Sequence, residues 1–570
     1  MALADWLVFL GALSFVVIYG LMHARRTRTV AQYLVTGRSL PWHVVGLSVM
    51  ATQASAVTFI STTGQSYVDG MRFVQFYFGL PIAMLILCYT AVPLFHRSGV
   101  FTAYEYLERR FDARTRALLS AIFLIQRGLA LGITLYAPAV VLSVVFGWPD
   151  SITTVLIGTV AVAYTTLGGT KAIAWTDLQQ MLVMTLGLVA ALVSAVYLLP
   201  ADVSLADAVS LANMARKLDV VTTNFNWQDR YNLWSGLIGG TFLALAYFGT
   251  DQSQVQRYLG GRSISDSRRG LLLNAAAKIP MQLFILFIGA MVFVFYLFQP
   301  PPLLLQRTKL ARIQSEEVRS DLQPIAARYD RAVADRRQAA QAFLQATEQN
   351  DVATADGQRQ AFARTQAELD AARADAATLA RKAGGSGASD TNYVFLTFVT
   401  SHLPAGVVGL VLAVICGATM TAISAEMSAL ATVSVVDIYK RHVRPSATDR
   451  HYLVASRLGM LFWGVYAVIS AQFIKGLGSL VEVVNVLGSL FYGGMLGVFI
   501  LAFFVPRVGA KAAFYAVLAG EAVIFACWYG TSLAFLWYNV VGCVVVVVAG
   551  VLLSPLDQRR PEGAQYRVSH

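Results

Sequence analysis

The chain carries repeated apolar stretches of about 20 residues, each long enough to cross a hydrocarbon core roughly 30 Å thick. In lipid a backbone must satisfy its own polar groups, and a continuous apolar run does so as a helix. The composition agrees, with 56% of residues hydrophobic and 13% charged. Soluble domains carry about 25% charged residues. The chain therefore reads as an all-α polytopic membrane protein.

About 13 spans are expected, at roughly 3–22, 43–66, 73–95, 118–146, 150–167, 174–199, 232–258, 272–298, 404–437, 452–474, 478–505, 511–530 and 533–553. Most of the net charge of +12 sits in short loops, a pattern of topology and not of nucleic-acid binding. The loops His23–Arg38, His96–Arg116, Gly168–Lys171, Tyr258–Arg269, Lys440–Arg450 and Arg507–Lys511 are basic, as is the tail from Gln558. Alternation from an external N-terminus puts all of them in the cytoplasm, together with the C-terminus. Leu3 to Leu21 lacks the basic start and small-residue cleavage site of a signal peptide. Arg25, Arg26 and Arg28 follow it, so it is expected to stay as an outside-to-inside helix. Cys88, Cys416, Cys527 and Cys543 lie in apolar segments and read as small hydrophobes, without a disulfide framework or metal site.

Gln299–Asp390 breaks the pattern. It opens on Pro300-Pro301-Pro302, turns rich in Ala, Arg, Asp and Gln, and closes on Gly384-Gly-Ser-Gly387. Residues 325–349 and 358–382 read as two water-soluble helices joined by a turn near Asn350–Gly357. Alternation places this Ala-lined hairpin outside the cell. There it is either a docking element for an extracytoplasmic partner, spanning 303–390, or a solvated insertion.

The second span is unusual in content. Between Gly46 and Gly64, Ala51-Thr-Gln-Ala-Ser55 packs small residues and side-chain oxygens into an apolar helix. A helix that opens in mid-membrane to offer carbonyl and hydroxyl oxygens to an ion needs this pattern. Close helix–helix packing through small residues is the other reading.

Several further stretches carry a family signature: Gly37-Arg-Ser-Leu-Pro41 leading into Gly46–Gly64, Phe101-Thr-Ala-Tyr-Glu-Tyr-Leu-Glu-Arg-Arg-Phe111, Tyr136-Ala-Pro-Ala139, Gly168-Gly-Thr-Lys-Ala-Ile-Ala-Trp-Thr-Asp-Leu-Gln-Gln180, Phe248-Gly-Thr-Asp-Gln-Ser-Gln-Val-Gln-Arg-Tyr-Leu259 and Asp437-Ile-Tyr439. With these the chain resembles the sodium/solute symporters, especially the branch of proline, iodide, monocarboxylate and multivitamin carriers. The match covers residues 30–300 and 391–505 and leaves the hairpin out. The resemblance implies a LeuT-type core of five plus five helices in inverted repeat, formed by spans two to eleven. It divides the chain into an extra helix and cytoplasmic loop (1–42), a first core part (43–298), the insertion (299–391), a second core part (392–505) and C-terminal helices with a tail (506–570). It also implies location in the plasma membrane, the inner membrane of a bacterium.

Carried over by position, the resemblance implies a sodium site built from backbone oxygens of Ala51, Ala54 and Ala418 and the Thr421 hydroxyl. Position 422, usually Ser or Thr in the family, is Ala422, so one hydroxyl ligand is missing. Glu426 lies one turn further on the same face, and helical side chains tilt toward the N-terminus, so its carboxylate is expected to reach back toward position 422. A lone acid inside a span has a function as ligand or proton carrier, or else faces a vestibule or a loop arginine. Ser424 and Ser428 either serve a second ion or satisfy their own helix carbonyls. Asp177 either holds an exiting ion or caps the helix beginning near Ala174, and Asp251 ties its helix to neighbours. Arg127 suits an anionic substrate, or snorkels to the cytoplasmic edge.

By position the solute would meet Gln53, Ser55 and Thr58 on the broken helix, Phe73, Gln75 and Tyr77 on the third span, and Phe248 on the seventh. Such a mixed lining suits a small polar solute and also serves ordinary packing. Val57 stands where sugar carriers place their acidic sugar ligand, which argues against that binding pattern. The expectation is a sodium-coupled symporter that imports a small polar or anionic organic solute by alternating access, with no covalent chemistry and no nucleotide site. The alternatives are a sensor on a transporter scaffold, a proton-coupled carrier of the same fold and, more weakly, a channel.

Overall fold

The computed structural model describes residues 1–24, 29–305, 319–382, 391–474 and 479–557. Arg25, Arg26, Arg28, Gly384–Gly387 and the tail from Gln558, all named above, lie outside the described residues. Among the described residues the regular structure is helical, apart from one isolated bridge between Leu40 and Gly261.

The first helix, α1 (Leu3–Ala24), is followed by α2 (Val30–Val35) and by a span broken into α3 (Trp42–Thr52) and α4 (Ala56–Asp69). A 3-10 segment, Gly70–Tyr77, leads to α5 (Leu80–Tyr89), α6 (Ala91–Ser98) and the short α7 (Ala103–Arg110). Next come α8 (Ala113–Phe146) and α9 (Asp150–Tyr197). Two expected spans lie in α9, which kinks at Gly169. Its φ of 64° suits glycine, and a Cβ there would come within 2.7 Å of the Tyr33 ring.

The seventh span is also broken, into α11 (Gly240–Thr250) and α12 (Gln252–Leu259), after α10 (Leu205–Met214) on the preceding loop. The break is at Asp251, whose backbone is extended and whose carboxylate caps α12 by accepting from the Ser253 N–H at 2.9 Å. Breaks in the second and seventh spans lie five spans apart. The sequence signalled the first; the second emerges from the structure.

After α13 (Ile264–Phe298) comes the insertion, α14 (Arg319–Glu348) and α15 (Val352–Lys382). The chain re-enters through α16 (Thr391–His402) and continues as α17 (Val407–Val433), α18 (Asp449–Ala471), α19 (Leu480–Phe504), α20 (Ala510–Gly530) and α21 (Leu536–Leu552). Each expected span therefore coincides with a helix, a broken helix or half of α9. In the apolar window of α17, 89% of residues are buried, against 22% in α18, so α17 is central and α18 faces lipid.

The hairpin turn is tighter than the sequence suggested. Asn350 takes a positive φ of 56°, and Asp351 caps α15 by accepting from the Thr354 N–H at 3.1 Å. The hairpin also lies on its own chain. Phe343 and Phe362 join the main apolar core, and Arg336, 1% exposed, donates to the Tyr296 carbonyl at 3.0 Å and to Gln366 Oε1 at 2.8 Å.

Candidate functional site

The broken span supplies the first part of the site. α3 stops at Thr52, Ser55 is extended, and α4 starts at Ala56. The Ala54 N–H still donates to the Ala51 carbonyl at 3.0 Å, and the Thr58 hydroxyl donates to the Gln53 carbonyl at 2.9 Å. α17 packs against both halves. It presents Ala418 and Thr421, both buried, and the Thr421 hydroxyl has no hydrogen-bond partner.

Asp177 on α9 completes this group. It is fully buried, accepts from the Ser48 hydroxyl at 2.5 Å and neighbours Thr421. Its second oxygen has no partner. The helix runs on through Ala174 without a start there, so Asp177 does not serve as the helix cap considered above. Arg257 on α12 stands 3.4 Å from Asp177. α3, α9, α12 and α17 thus meet around one carboxylate.

Glu426 has an arginine for its partner. One carboxylate oxygen meets Arg127 on α8 at 3.1 Å, with the Thr134 hydroxyl at 3.4 Å, so the arginine pairing considered above is the one seen, with an arginine of a span and not of a loop; the other oxygen has no hydrogen-bond partner. The physical reason is Coulombic: a guanidinium in the bilayer interior outweighs any interaction with an alanine. Arg127, 3% exposed, does not snorkel. It also pairs with Asp251 and donates to the Tyr492 hydroxyl at 2.7 Å, and Tyr492 donates to Asp251 at 2.9 Å. Asp251 therefore does tie its helix to neighbours. Ser424 shares a hydrogen bond of 2.6 Å with Thr165, and the Ser428 hydroxyl has no partner.

The residues expected to line a solute site separate into two groups. Phe73 and Gln75 are committed to the loop between α10 and α11. Phe73 packs edge-on to Tyr231 at 5.0 Å, while Gln75 donates to the Tyr231 carbonyl at 2.9 Å and accepts from the Thr222 N–H at 2.9 Å. Phe248 packs edge-on to Tyr247, whose ring faces Arg127. Gln53, Ser55 and Thr58 lie at the break, while Tyr77 packs edge-on to Phe73 at 6.1 Å and carries the Lys278 ammonium 5.4 Å from its ring centroid. Gln53 donates to Asn274 Oδ1 on α13 at 3.2 Å.

Asn274, Lys278 and Gln282 on α13 were missed. All three are fully buried, and their four-residue spacing puts them on one helical face. The signal was present as three polar residues at helical spacing in an apolar span. Arg257 was missed as a partner of Asp177 because its motif residues are far apart in the chain.

These features fit a secondary transporter: two broken membrane helices, and a buried carboxylate with an unpartnered hydroxyl beside one of the breaks. The sequence profile of the sodium:solute symporter family matches residues 33–302 and 370–520, and the chain belongs to that family. It is 24% identical over 561 residues to the sodium/sialic acid symporter SiaT of Proteus mirabilis, covering 97% of this chain and 95% of the relative. It is 28% identical over 282 residues to the human sodium/iodide cotransporter, covering 49% of this chain and 43% of the relative. The fold matches that of a sodium-coupled sialic acid symporter solved in a substrate-bound outward-open state, with a TM-score of 0.75, 24% identity, and coverage of 97% of this chain and 98% of the other. The architecture is accordingly the LeuT-type five-plus-five core, and the chain is a sodium-coupled solute symporter of the membrane.

Proposed function

We propose that sodium binds between the α3/α4 break and α17, through carbonyls of Ala51, Ala54 and Ala418 and the Thr421 hydroxyl. Asp177 supplies an anionic oxygen in place of the hydroxyl that Ala422 lacks. The observation that carries this reading is the convergence of Ser48, Thr421 and Arg257 on the buried Asp177. Sodium would displace Arg257 as the counter-ion of Asp177. Because α12 and α3 belong to the broken spans, this exchange would couple ion binding to their movement. Glu426 is left to Arg127 in this reading.

The solute is a small polar or anionic organic molecule, and the full-length likeness to sialic acid symporters makes sialic acid the first to try. The N-terminus and the hairpin lie outside and the C-terminus in the cytoplasm of a bacterial inner membrane. The hairpin caps its own chain, and its exposed face remains free for an extracytoplasmic partner.

The test is sodium titration of the purified protein, followed by thermal unfolding. Binding stabilises the folded protein by about 2.7 kcal/mol at a hundredfold excess over the dissociation constant, which appears as a rise in unfolding temperature with sodium concentration. Asp177→Asn and Thr421→Ala are each expected to weaken sodium affinity by about tenfold or more, with folding retained. Wild-type sodium affinity in both variants would refute the site. A cysteine at the exposed Ala353 should react with an impermeant thiol reagent in intact cells; reaction only after rupture would invert the topology.

A further inference from the structure

α17 begins without a cap of its own. Its N-terminal flanking residue, Gly406, has no side chain to offer, and its φ of 90° is a conformation that suits glycine. The first four N–H groups at such an end find no partner inside the helix. The helical ladder starts only with Leu410, which donates to the Gly406 carbonyl at 3.0 Å. The Pro404 carbonyl accepts from two of the four, Val407 at 3.1 Å and Val408 at 3.4 Å. The other two, on Gly406 at 2.6 Å and Gly409 at 3.2 Å, donate to one carboxylate oxygen of Asp5, far away in the chain on α1. The second Asp5 oxygen accepts from the Ala2 N–H at 2.8 Å, at the start of α1 itself. Asp5 is 3% exposed, so one buried carboxylate caps two helices.

The cap ties α17 to a helix outside the five-plus-five core, and the fit leaves little play. A Cβ on Gly409 would collide with the Asp5 backbone. Deeper in, Ala12, Leu13 and Val16 of α1 share the lining of one small cavity with Gly417 and Ala418 of α17 and Gln180 of α9. Its volume is about 10 Å³, the room of a single water. Contacts advance in step along α1 and α17, so the two helices run parallel from a common end. Parallel helix dipoles side by side repel, and a carboxylate between their N-termini offsets that repulsion. α17 is unbroken from Val407 to Val433. An axial shift at its start is therefore carried whole to Ala418 and Thr421.

We infer that Asp5 is a positioning residue for sodium binding: it fixes the axial place of α17, and so holds the Ala418 carbonyl and the Thr421 hydroxyl against the α3/α4 break and Asp177. The inference rests on the sodium site proposed above and adds to it a helix from outside the core. Without the carboxylate, two buried N–H groups lose their acceptor and α17 is free to slide until they find another.

The test is calorimetric titration of the purified full chain with sodium chloride, against choline chloride, at a temperature where circular dichroism shows full helix content. Asp5→Ala is expected to weaken sodium affinity about fivefold. Asp5→Asn keeps an acceptor oxygen and should lose less. Gly409→Ala keeps the carboxylate but forces α1 and α17 apart, and should resemble Asp5→Ala. In a Thr421→Ala background the Asp5→Ala effect should shrink, because both changes act through the same ligand. A cap that serves stability alone would lower the unfolding temperature of these variants and leave the sodium affinity of the folded protein at the wild-type value, which would overturn the inference. An Asp5→Ala effect undiminished by Thr421→Ala would overturn it too. If Asp5→Ala does not fold, Asp5→Asn and Gly409→Ala carry the same comparison. Weakened binding in Thr421→Ala and Asp177→Asn, with none in the Asp5 and Gly409 variants, overturns the inference and leaves the sodium site standing. Wild-type affinity in Thr421→Ala and Asp177→Asn removes the site and the inference together.

Discussion

Arg127 and Lys278 are both cations sealed inside membrane helices, and their surroundings are opposite. Arg127 on α8 faces Asp251, Glu426 and the Tyr492 hydroxyl, so four helices are joined through one guanidinium. Lys278 on α13 lies over the Tyr77 ring, one helical turn from the unpartnered Gln282 amide. The planar, five-donor guanidinium suits a fixed network, whereas the ammonium is a point charge on a flexible stem. A buried cation paired with carboxylates serves the scaffold; a buried polar group in a membrane span without such a pair is a functional candidate.

Removing the first cation should cause the largest effect. Arg127→Met leaves Asp251 and Glu426 buried without a counter-charge, and the expected loss is about 3–5 kcal/mol, measured by thermal unfolding in detergent. Adding Glu426→Gln should recover part of it, because one of the two stranded carboxylates is then neutral. If Arg127→Met unfolds at the wild-type temperature, the two cations are equivalent and the contrast fails.

The hairpin offers an intermediate case. Arg336 is buried like Arg127 but is held by a carbonyl and an amide oxygen. Hydrogen bonds to charged groups contribute about 1.5–3 kcal/mol, so Arg336→Ala should loosen the hairpin by that order while sodium binding persists. Hydrogen exchange or limited proteolysis across 319–382 would register the change. Unaltered protection there would mean that Phe343 and Phe362 hold the hairpin without it.

A smaller effect is expected at the short helix α7, outside the membrane spans. Burial pushes the Glu108 carboxyl up, but hydrogen bonds from Arg116 at 2.6 Å and Arg441 at 2.6 Å hold it below the usual carboxylate range. A depressed carboxyl stabilises the fold above its unfolded value of 4.5, and the contribution is lost as pH falls through the folded value. Glu108→Gln should therefore cost about 0.5–1 kcal/mol at neutral pH, and the gap from wild type should close below pH 4.5. A gap that stays constant with pH would assign the loss to packing.

The smallest effect on stability belongs to Lys278. Among the described residues Lys278→Met breaks no hydrogen bond or ion pair, only the contact with the Tyr77 ring, and it removes a buried charge, so the unfolding temperature should stay level or rise. A marked fall would mean that the ammonium has a structural partner, and the contrast with Arg127 would collapse.

By itself the sequence determined what local chemistry decides. Apolar runs of spanning length set the helices, basic loops indicated how they alternate, and small oxygen-bearing residues from Ala51 to Ser55 marked the first broken span. Proline-flanked, Ala-rich composition marked the hairpin as two helices outside the pattern. Only the tertiary structure decided which polar groups meet. The sequence showed Glu426 sharing a face with Ala422, but the ion pair with Arg127 depends on how α8 lies against α17, 299 residues away in the chain. Asp177 and Arg257 likewise belong to separate motifs and become partners only when α9 and α12 pack together. Lys278 could be seen in its span, yet whether a buried cation is paired depends on every helix around it. The physical reason is the same in each case: hydrophobic periodicity is written along one helix, whereas charge satisfaction in a low-dielectric interior is a property of several helices at once.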